Sequence, residues 1–367
     1  MIAFIDNYNS SVEMPYTAEE FARMGTPSPI LLEAIRQRPF PDLSTPRGAE
    51  PHPLDVRYNR ADHLSKLRHL YPIHGPIPEQ VKETDHQVQV RDGSTIRVRV
   101  YTSTKPTEGG GPLIVMMHEG GWCFGDLTDE DLNCRLFARD LGAVCVNVEY
   151  RLAPEYPFPT GVNDCHDVVK WCANTATPES DVLPSDPRKG FIVGGASAGG
   201  NLAAILCQVI RDESMKPPLT GQYLCVPALL APDVVPEKWA SSYSSRTESR
   251  SDPVLQLRGE DHARFMDALK PDTVSPLFSP LLHPKLSNLP PAYFQLGGLD
   301  PLRDEALLYE RVLREENGVP TRLEVYEGFG HMFWTNWPEM ERSKEFVRDT
   351  LEGVRWLLQV GGKESRL

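Results

Sequence analysis

The chain of 367 residues can bury one sizeable core, and its 40% apolar and 24% charged residues are ordinary for a globular protein. A net charge of −13, with no local cluster of Lys and Arg, argues against nucleic acid as a partner. No apolar run reaches the length of a membrane span, and the first ten residues do not resemble a signal peptide. We therefore expect no stable membrane insertion and a cytoplasmic location.

The chain contains seven cysteines, an odd number, without CxxC spacing or a histidine paired to them. This pattern argues against both a disulfide framework and a metal site. Several of the cysteines lie inside apolar runs. We expect free thiols that are buried as small hydrophobic side chains, and we expect no bound metal.

Short apolar runs that alternate with longer helical patterns begin near residue 90. The first two runs, 88–90 and 96–101, flank Asp92-Gly93, which is typical of a hairpin turn. Later runs are almost continuously apolar, as expected of strands that are buried on both faces. These predicted strands are 113–117, 143–148, 191–193, 222–230, 292–296 and 323–326.

Helical patterns lie between these predicted strands. The first ends before Gly142 and another ends before Asn317-Gly318, both typical helix stops. The predicted helices are 129–141, 162–173, 198–211, 302–316 and 338–358. Alternating strands and helices predict an α/β fold, a parallel sheet with helices on both faces.

Two segments interrupt the alternation, and neither supplies a core strand. The first 80 residues carry helical patterns at 30–36 and 61–70 between Pro-rich stretches, and the second segment has one near 260–269. We hypothesise that both segments pack over one end of the sheet as a helical cap. The resulting division is an N-terminal cap segment 1–80, a first core part 81–232, a cap insertion 233–275 and a second core part 276–367.

A G-x-S-x-G motif, Gly195 to Gly199, directly follows the apolar run 191–193 and directly precedes a helical pattern. Only glycine and alanine flank Ser197, as a sharp strand-to-helix turn requires. The motif therefore predicts Ser197 as a nucleophile at the positive end of the following helix. A chance match in a Gly-rich turn is the alternative, and the flanking strand and helix disfavour it.

A pair of glycines follows the predicted strand 113–117, within the sequence His118-Glu119-Gly120-Gly121-Trp122. Adjacent glycines let successive N–H groups face one point, as stabilisation of a developing oxyanion requires. We predict Gly120, Gly121 and Ala198 as the backbone donors of an oxyanion hole. A Gly-Gly turn that binds nothing is the alternative.

These motifs resemble the hormone-sensitive-lipase-like branch of the α/β-hydrolases, and more narrowly its carboxylesterases of filamentous fungi. The H-G-G-G signature of that branch is similar to residues 118–122, and its G-D-S-A-G-G elbow is similar to residues 195–200. Residues 150–155 and 298–304 also match stretches typical of the branch. The resemblance implies an eight-stranded, mostly parallel sheet with a helical cap. It also implies ester hydrolysis without metal or organic cofactor, by a triad in the chain order Ser, Asp, His.

Two residues depart from the pattern of this branch. Glu119 stands where the first glycine is usual, and Ala196 replaces the acid that usually precedes the nucleophile. Glu119 would place a carboxylate near an anion-binding site unless it points away or pairs with a base. Ala196 removes a buried acid. Both changes bear on substrate preference and rate more than on the class of reaction.

The predicted base and acid lie in loops that follow predicted strands, at the same edge of the sheet as the serine. His331 follows the strand 323–326 and Asp300 follows the strand 292–296, so we predict them as general base and orienting acid. Asp304 is the rival acid, but we expect it to cap a helix or face solvent. We expect His118 to bond backbone and fix its loop.

The predicted activity is two-step acyl transfer from a small-molecule ester of short to medium acyl chain. Trp122, Phe124 and Trp334 flank the predicted site and suggest an apolar pocket, although plain packing explains them equally. One alternative is an acyltransferase or cyclase of a biosynthetic pathway that uses the same triad. Another is a non-catalytic small-molecule receptor, which the retained His331 disfavours, and a third is a binding protein or slow enzyme disabled by Glu119. A homodimer is left open.

Overall fold

The computed structural model describes residues 18–41, 43, 55–248 and 259–364, and the description below concerns these residues. Within them lies one eight-stranded sheet in the order β1-β2-β4-β3-β5-β6-β7-β8. The strands are β1 (Val81–Gln89), β2 (Thr95–Ser103), β3 (Leu113–Met117), β4 (Val144–Val148), β5 (Phe191–Ala196), β6 (Gly221–Cys225), β7 (Ala292–Gly297) and β8 (Thr321–Tyr326). Strand β2 pairs antiparallel with β1 and β4, and all other pairs are parallel. The predicted α/β fold and its mostly parallel sheet are confirmed.

The helices connect the strands as the alternating pattern predicts. They are α1 (Ala18–Met24), α2 (Pro29–Gln37), α3 (Asp55–Leu67), α4 (Asp131–Leu141), α5 (Thr160–Thr175), α6 (Ala198–Asp212), α7 (Ser245–Glu248), α8 (Gly259–Leu269), α9 (Arg303–Arg311), α10 (Phe333–Asn336) and α11 (Glu341–Glu364). Helix α4 ends at Gly142, whose φ of 62° is left-handed and therefore suits glycine. A turn of π-helix extends α9 through residues 312–316.

The two faces of the sheet carry separate apolar cores. Leu113, Val115 and Met117 of β3 belong to one core, whereas Ile114 and Met116 belong to the other, as the alternation of side chains along a strand requires. Helices α5, α6 and α9 cover the first face, and α4 and α11 cover the second. All five of these β3 side chains are fully buried, which explains why the strand is apolar throughout.

One predicted strand is too long. The run 222–230 forms a strand only to Cys225, because Val226 takes a left-handed φ of 37° and Pro227 follows it. The chain turns there and leaves the sheet.

The hairpin prediction is confirmed, since Val88 pairs with Ile96 across a turn in which Gly93 has a φ of 86°.

The cysteines behave as the sequence suggests. All seven lie in described parts of the chain, and each is a buried free thiol.

Among the described helices, none combines the length and apolarity that crossing a bilayer requires.

Candidate active site

Ser197 lies at the sharp turn between β5 and α6. Its backbone angles, φ 53° and ψ −114°, are strained for a residue that carries a Cβ. Its N–H donates to the Cys225 carbonyl at 2.8 Å, which holds the turn against β6. A Cβ at Gly199 would collide with the Met117 carbonyl oxygen, so only glycine lets the start of α6 approach β3 this closely. The turn therefore fixes the Ser197 side chain at the carboxyl end of the sheet.

Three of the predicted site residues form one hydrogen-bonded chain. The Asp300 Oδ2 atom lies 2.8 Å from His331 Nδ1, and His331 Nε2 lies 3.0 Å from Ser197 Oγ. All three residues are buried, with relative exposures of 1%, 6% and 8% in that order. The other Asp300 oxygen accepts the Leu302 N–H at 2.8 Å, which orients the carboxylate. Because an ionised carboxylate only accepts hydrogen bonds, Nδ1 carries the proton and Nε2 is free to accept one from the serine.

The loop after β3 has the backbone geometry that two adjacent glycines permit. Gly120 has a φ of 123° and Gly121 a φ of 57°, and the N–H groups of Cys123 and Phe124 close a turn on the Gly120 carbonyl. Neither Gly120 nor Gly121 donates its N–H to any partner among the described residues. The Ala198 N–H opens α6, where helix geometry provides no internal partner. These N–H groups are thus available to an external acceptor.

His118 holds this loop from within. Its Nδ1–H donates to the Glu119 carbonyl at 2.7 Å, and its ring stacks on Tyr150 at 4.2 Å. The Tyr150 hydroxyl donates to the His118 carbonyl at 2.9 Å. Burial lowers the pKa of His118, so its imidazole stays neutral. These contacts agree with the expectation that His118 bonds backbone.

Glu119 pairs with a base, the Arg60 guanidinium. Arg60 Nη2 donates a hydrogen bond to the Glu119 carboxylate at 2.5 Å, and Nη1 of the same guanidinium donates to Asp129 at 3.1 Å. Burial and the charge of Asp129 raise the pKa of Glu119 to about 7, while Arg60 opposes that shift. Sequence reasoning did not find Arg60, which comes from helix α3. The only signal was a pair of arginines three residues apart, Arg57 and Arg60, just before the predicted helical pattern 61–70.

A buried acid lies beside Ala196 although the usual one is missing there. Glu130 is 2% exposed, and its carboxyl group interacts with the backbone amide of Ala196 and with Asn133 Nδ2 at 2.8 Å. Burial, followed by the charge of Glu119, raises the pKa of Glu130 well above its ordinary value. Glu130 therefore keeps its proton to a higher pH than an exposed glutamate does.

The predicted pocket aromatics separate into two groups. Trp122 and Phe124 lie in one apolar cluster with Phe265 of α8 and Phe278, and this cluster includes Ala198. The Phe265 ring covers Gly121 so closely that a Cβ there would lie 2.6 Å from it. Trp334 is not in this cluster. It stacks on Phe346 at 3.8 Å in the core on the other face of the sheet.

Asp304, the rival acid, contacts other groups than His331. It is 1% exposed, so the expectation that it faces solvent is wrong. Its carboxylate pairs with Arg303 at 2.7 Å and accepts the N–H groups of Ser244 and Ser245, which caps the start of α7. The capping part of the expectation therefore agrees with the structure, although the capped helix is not its own.

The described residues hold no cluster of three or more His, Cys, Asp and Glu side chains arranged to bind a metal ion. The chemistry that the site's own groups offer is nucleophilic attack by a hydroxyl beside an imidazole, with backbone donors nearby.

Comparison with known proteins identifies the family. A family model for the α/β-hydrolase fold matches residues 114–335. The chain belongs to this family, in its hormone-sensitive-lipase-like branch.

Relatives match over most of their length. An AB hydrolase superfamily protein of Schizosaccharomyces pombe is 36% identical over 96% of this chain and 99% of its own. The versiconal hemiacetal acetate esterase of Dothistroma septosporum is 35% identical over 79% of this chain and 84% of its own. Among solved structures, a vibralactone cyclase superposes with a TM-score of 0.83 at 32% identity, covering 95% of this chain and 99% of the cyclase.

Proposed function

We propose that the chain is a serine carboxylesterase acting on small-molecule esters of short to medium acyl chain. The observation that carries the proposal is the unbroken hydrogen-bonded chain from Asp300 through His331 to Ser197, beside N–H groups that have no partner among the described residues. Membership of a family with esterases among its members supports the same conclusion.

The proposed mechanism has two steps. Ser197 Oγ attacks the ester carbonyl while His331 Nε2 takes the hydroxyl proton, and Asp300 stabilises the resulting imidazolium. The N–H groups of Gly120, Gly121 and Ala198 receive the negative charge of the tetrahedral intermediate. His331 then returns the proton to the leaving alcohol. Water, activated by the same imidazole, releases the acid from the acyl-enzyme.

The apolar cluster beside Ala198 supports a hydrophobic acyl group. Trp122, Phe124, Phe265 and Phe278 surround this side of the site, and aromatic walls favour apolar substrate groups by removing their surface from water. Phe265 belongs to the segment 233–275, so this proposed pocket is built jointly by the core and that segment. Trp334 is left out of it because it packs elsewhere.

The test is labelling and turnover of Ser197→Ala. Because the nucleophile is lost, we expect kcat on p-nitrophenyl esters to fall at least ~10³-fold and labelling by a fluorophosphonate probe to disappear. Ser65→Ala, at an exposed position of α3, is the matched control and should label normally. A series of esters from acetate to dodecanoate measures acyl preference. Near-normal turnover by Ser197→Ala would refute the assignment.

A cyclase is the second candidate, favoured by the likeness to vibralactone cyclase over nearly the whole length of both chains. A cyclase would pass the acyl group to a nucleophile on the same substrate in place of water. Reaction in ¹⁸O-labelled water separates the two, because hydrolysis places the label in the acid product and ring closure does not.

A further inference from the structure

Helix α3 inserts two arginines, one helical turn apart, into the loop that carries Gly120 and Gly121. Arg57 Nε donates to the Cys123 carbonyl at 3.0 Å, and its Nη2 donates to the Ala153 carbonyl at 3.1 Å. Arg60 Nη2 contacts Glu119 at 2.5 Å. Residues three apart share one face of a helix, so both side chains reach the loop from the same side.

Arg57 ties together two chain segments. Besides the two carbonyls, its guanidinium forms a bidentate pair with Glu155, at 3.1 and 3.0 Å. Cys123 belongs to the glycine loop, whereas Ala153 and Glu155 belong to the segment after β4. A planar guanidinium with five donors suits such a contact better than an ammonium group does. Arg57 thus fixes the far end of the glycine loop relative to its neighbour.

Arg60 fixes the near end of the loop and balances buried charge. Its side chain is 13% exposed, and its partners Glu119 and Asp129 are each 5% exposed. The guanidinium also lies 5.5 Å from the centre of the Phe124 ring. A buried carboxylate without a counterion is costly, so the departure from glycine at position 119 depends on Arg60.

The position of Glu119 connects this ion pair to the chemistry. Glu119 immediately precedes Gly120, and its carbonyl is held by His118 while its side chain is held by Arg60. Donors that stabilise an oxyanion are effective only when they are already aimed at it before the reaction. A shift of Glu119 would therefore redirect the N–H groups that follow it.

We propose that Arg57 and Arg60 are positioning residues that hold the glycine loop in its donor geometry from helix α3, and that Arg60 also neutralises Glu119 beside the developing negative charge. The chemical role of the loop rests on the proposed function above. The proposal extends the site to an element that precedes the sheet in the chain.

Several charged or titratable groups surround the Glu119 carboxylate, and each of them influences its ionisation. They are Arg60 from α3, Tyr71 from the segment after it, Asp129 and Glu130 from the loop before α4, Tyr150 after β4, Cys225 of β6 and His331 after β8. Arg60 and a protonated His331 favour the ionised carboxylate, and Asp129 and Glu130 oppose it. Without Arg60, ionised Glu119 would add a negative charge where the transition state also gains one.

The experiment compares kcat, KM and pH profiles of Arg57→Met, Arg60→Met, Arg60→Lys and the double variant Arg60→Met/Glu119→Gln. Lys66→Met is the matched control, because Lys66 lies on the same helix with a side chain 70% exposed and pairs with the exposed Asp62. We expect Arg57→Met and Arg60→Met to lower kcat about 10- to 100-fold with little change in KM, because the donors are misplaced. Lys66→Met should match the wild type.

The pH profile separates positioning from mere structural support. Arg60→Met should lose further kcat as pH rises and Glu119 ionises, whereas Arg57→Met should keep the wild-type profile. The double variant carries no charge at position 119, so it should lose this alkaline decline and exceed Arg60→Met in kcat. Arg60→Lys retains the charge without the planar fork, and should show reduced kcat with a wild-type profile. It also serves if Arg60→Met does not fold.

Two results would overturn the proposal. If kcat of Arg60→Met equals that of Lys66→Met, the loop does not depend on Arg60. An alkaline decline that persists in the double variant would show that Glu119 is not its source. Hydrogen exchange of residues 118–128 tests the positioning directly, and it should rise in Arg57→Met and Arg60→Met but not in Lys66→Met. If the wild type hydrolyses no ester and takes no probe, the proposed function fails, whereas hydrogen exchange still decides whether α3 holds the loop.

Discussion

At the scale of single residues, the state of the His331 imidazole follows from its two neighbours. Asp300 can only accept a hydrogen bond, so the proton of the neutral ring lies on Nδ1 and Nε2 faces Ser197 with its lone pair. Asp300 is itself fixed by the Leu302 N–H. The carboxylate thus determines which ring nitrogen acts on the serine.

Asp300→Asn tests this dependence. An amide nitrogen facing Nδ1 would favour the other tautomer, whose Nε2–H cannot accept the Ser197 proton. We expect kcat on a p-nitrophenyl ester to fall by about 10³- to 10⁴-fold with KM little changed. Asp304→Asn is the matched control, because Asp304 bonds Arg303 and α7 rather than His331. A larger loss in the control than in Asp300→Asn would assign the role to the rival acid.

The sequence predicted the proximity of Ser197, Asp300 and His331 because one rule covers all three: each follows a strand of a parallel sheet at its carboxyl end. It could not predict the contact of Arg60 with Glu119. That contact depends on how a helix outside the sheet packs, and no periodicity encodes such packing. Trp334 packs apart from Trp122 and Phe124 for a related reason, since nearness in sequence to His331 did not decide which face its ring covers.

At the scale of elements, strand positions were predictable and strand ends were less so. Buried parallel strands are continuous apolar runs, and 113–117 matches β3 at both ends. The run 222–230 is also mostly apolar, but a left-handed Val226 ends the strand early. Helix α8 was predicted from its own sequence pattern. Its packing over Gly121 is a tertiary contact, which the local sequence does not specify.

Phe265→Ala tests whether the packing of α8 over Gly121 contributes to the proposed pocket. The Phe265 ring covers Gly121 and contacts Phe124, with ring centres 5.2 Å apart. Its loss removes apolar surface from the proposed pocket, so we expect KM for medium-chain esters to rise about 5- to 10-fold and KM for acetate to change less. Val274→Ala is the control, since Val274 in the same segment is 63% exposed. Equal effects on all chain lengths would argue against a pocket role for Phe265.

At the scale of the whole molecule, the carboxyl groups fall into two sets with opposite effects on stability. Hydrogen bonds from arginines lower the pKa of exposed acids, to about 2 for Asp92 beside Arg151, and these stabilise the fold above the unfolded pKa of their type. Burial raises the pKa of Glu119 to about 7 and that of Glu130 well above its ordinary value. These two stabilise the fold only at low pH, so stability should be greatest at mildly acidic pH.

Glu130→Gln tests the second set. In the folded chain Glu130 keeps its proton at a pH where the unfolded chain releases it, so its contribution is complete below its unfolded pKa and declines as pH rises toward the folded one. The loss is about 1.4 kcal/mol per pH unit between those values. Glutamine resembles the protonated acid at every pH. The unfolding free energy in urea should therefore fall less steeply above pH of about 5 in Glu130→Gln than in the wild type. Glu79→Gln, at an exposed position, should follow the wild type, and parallel slopes for Glu130→Gln would contradict the prediction.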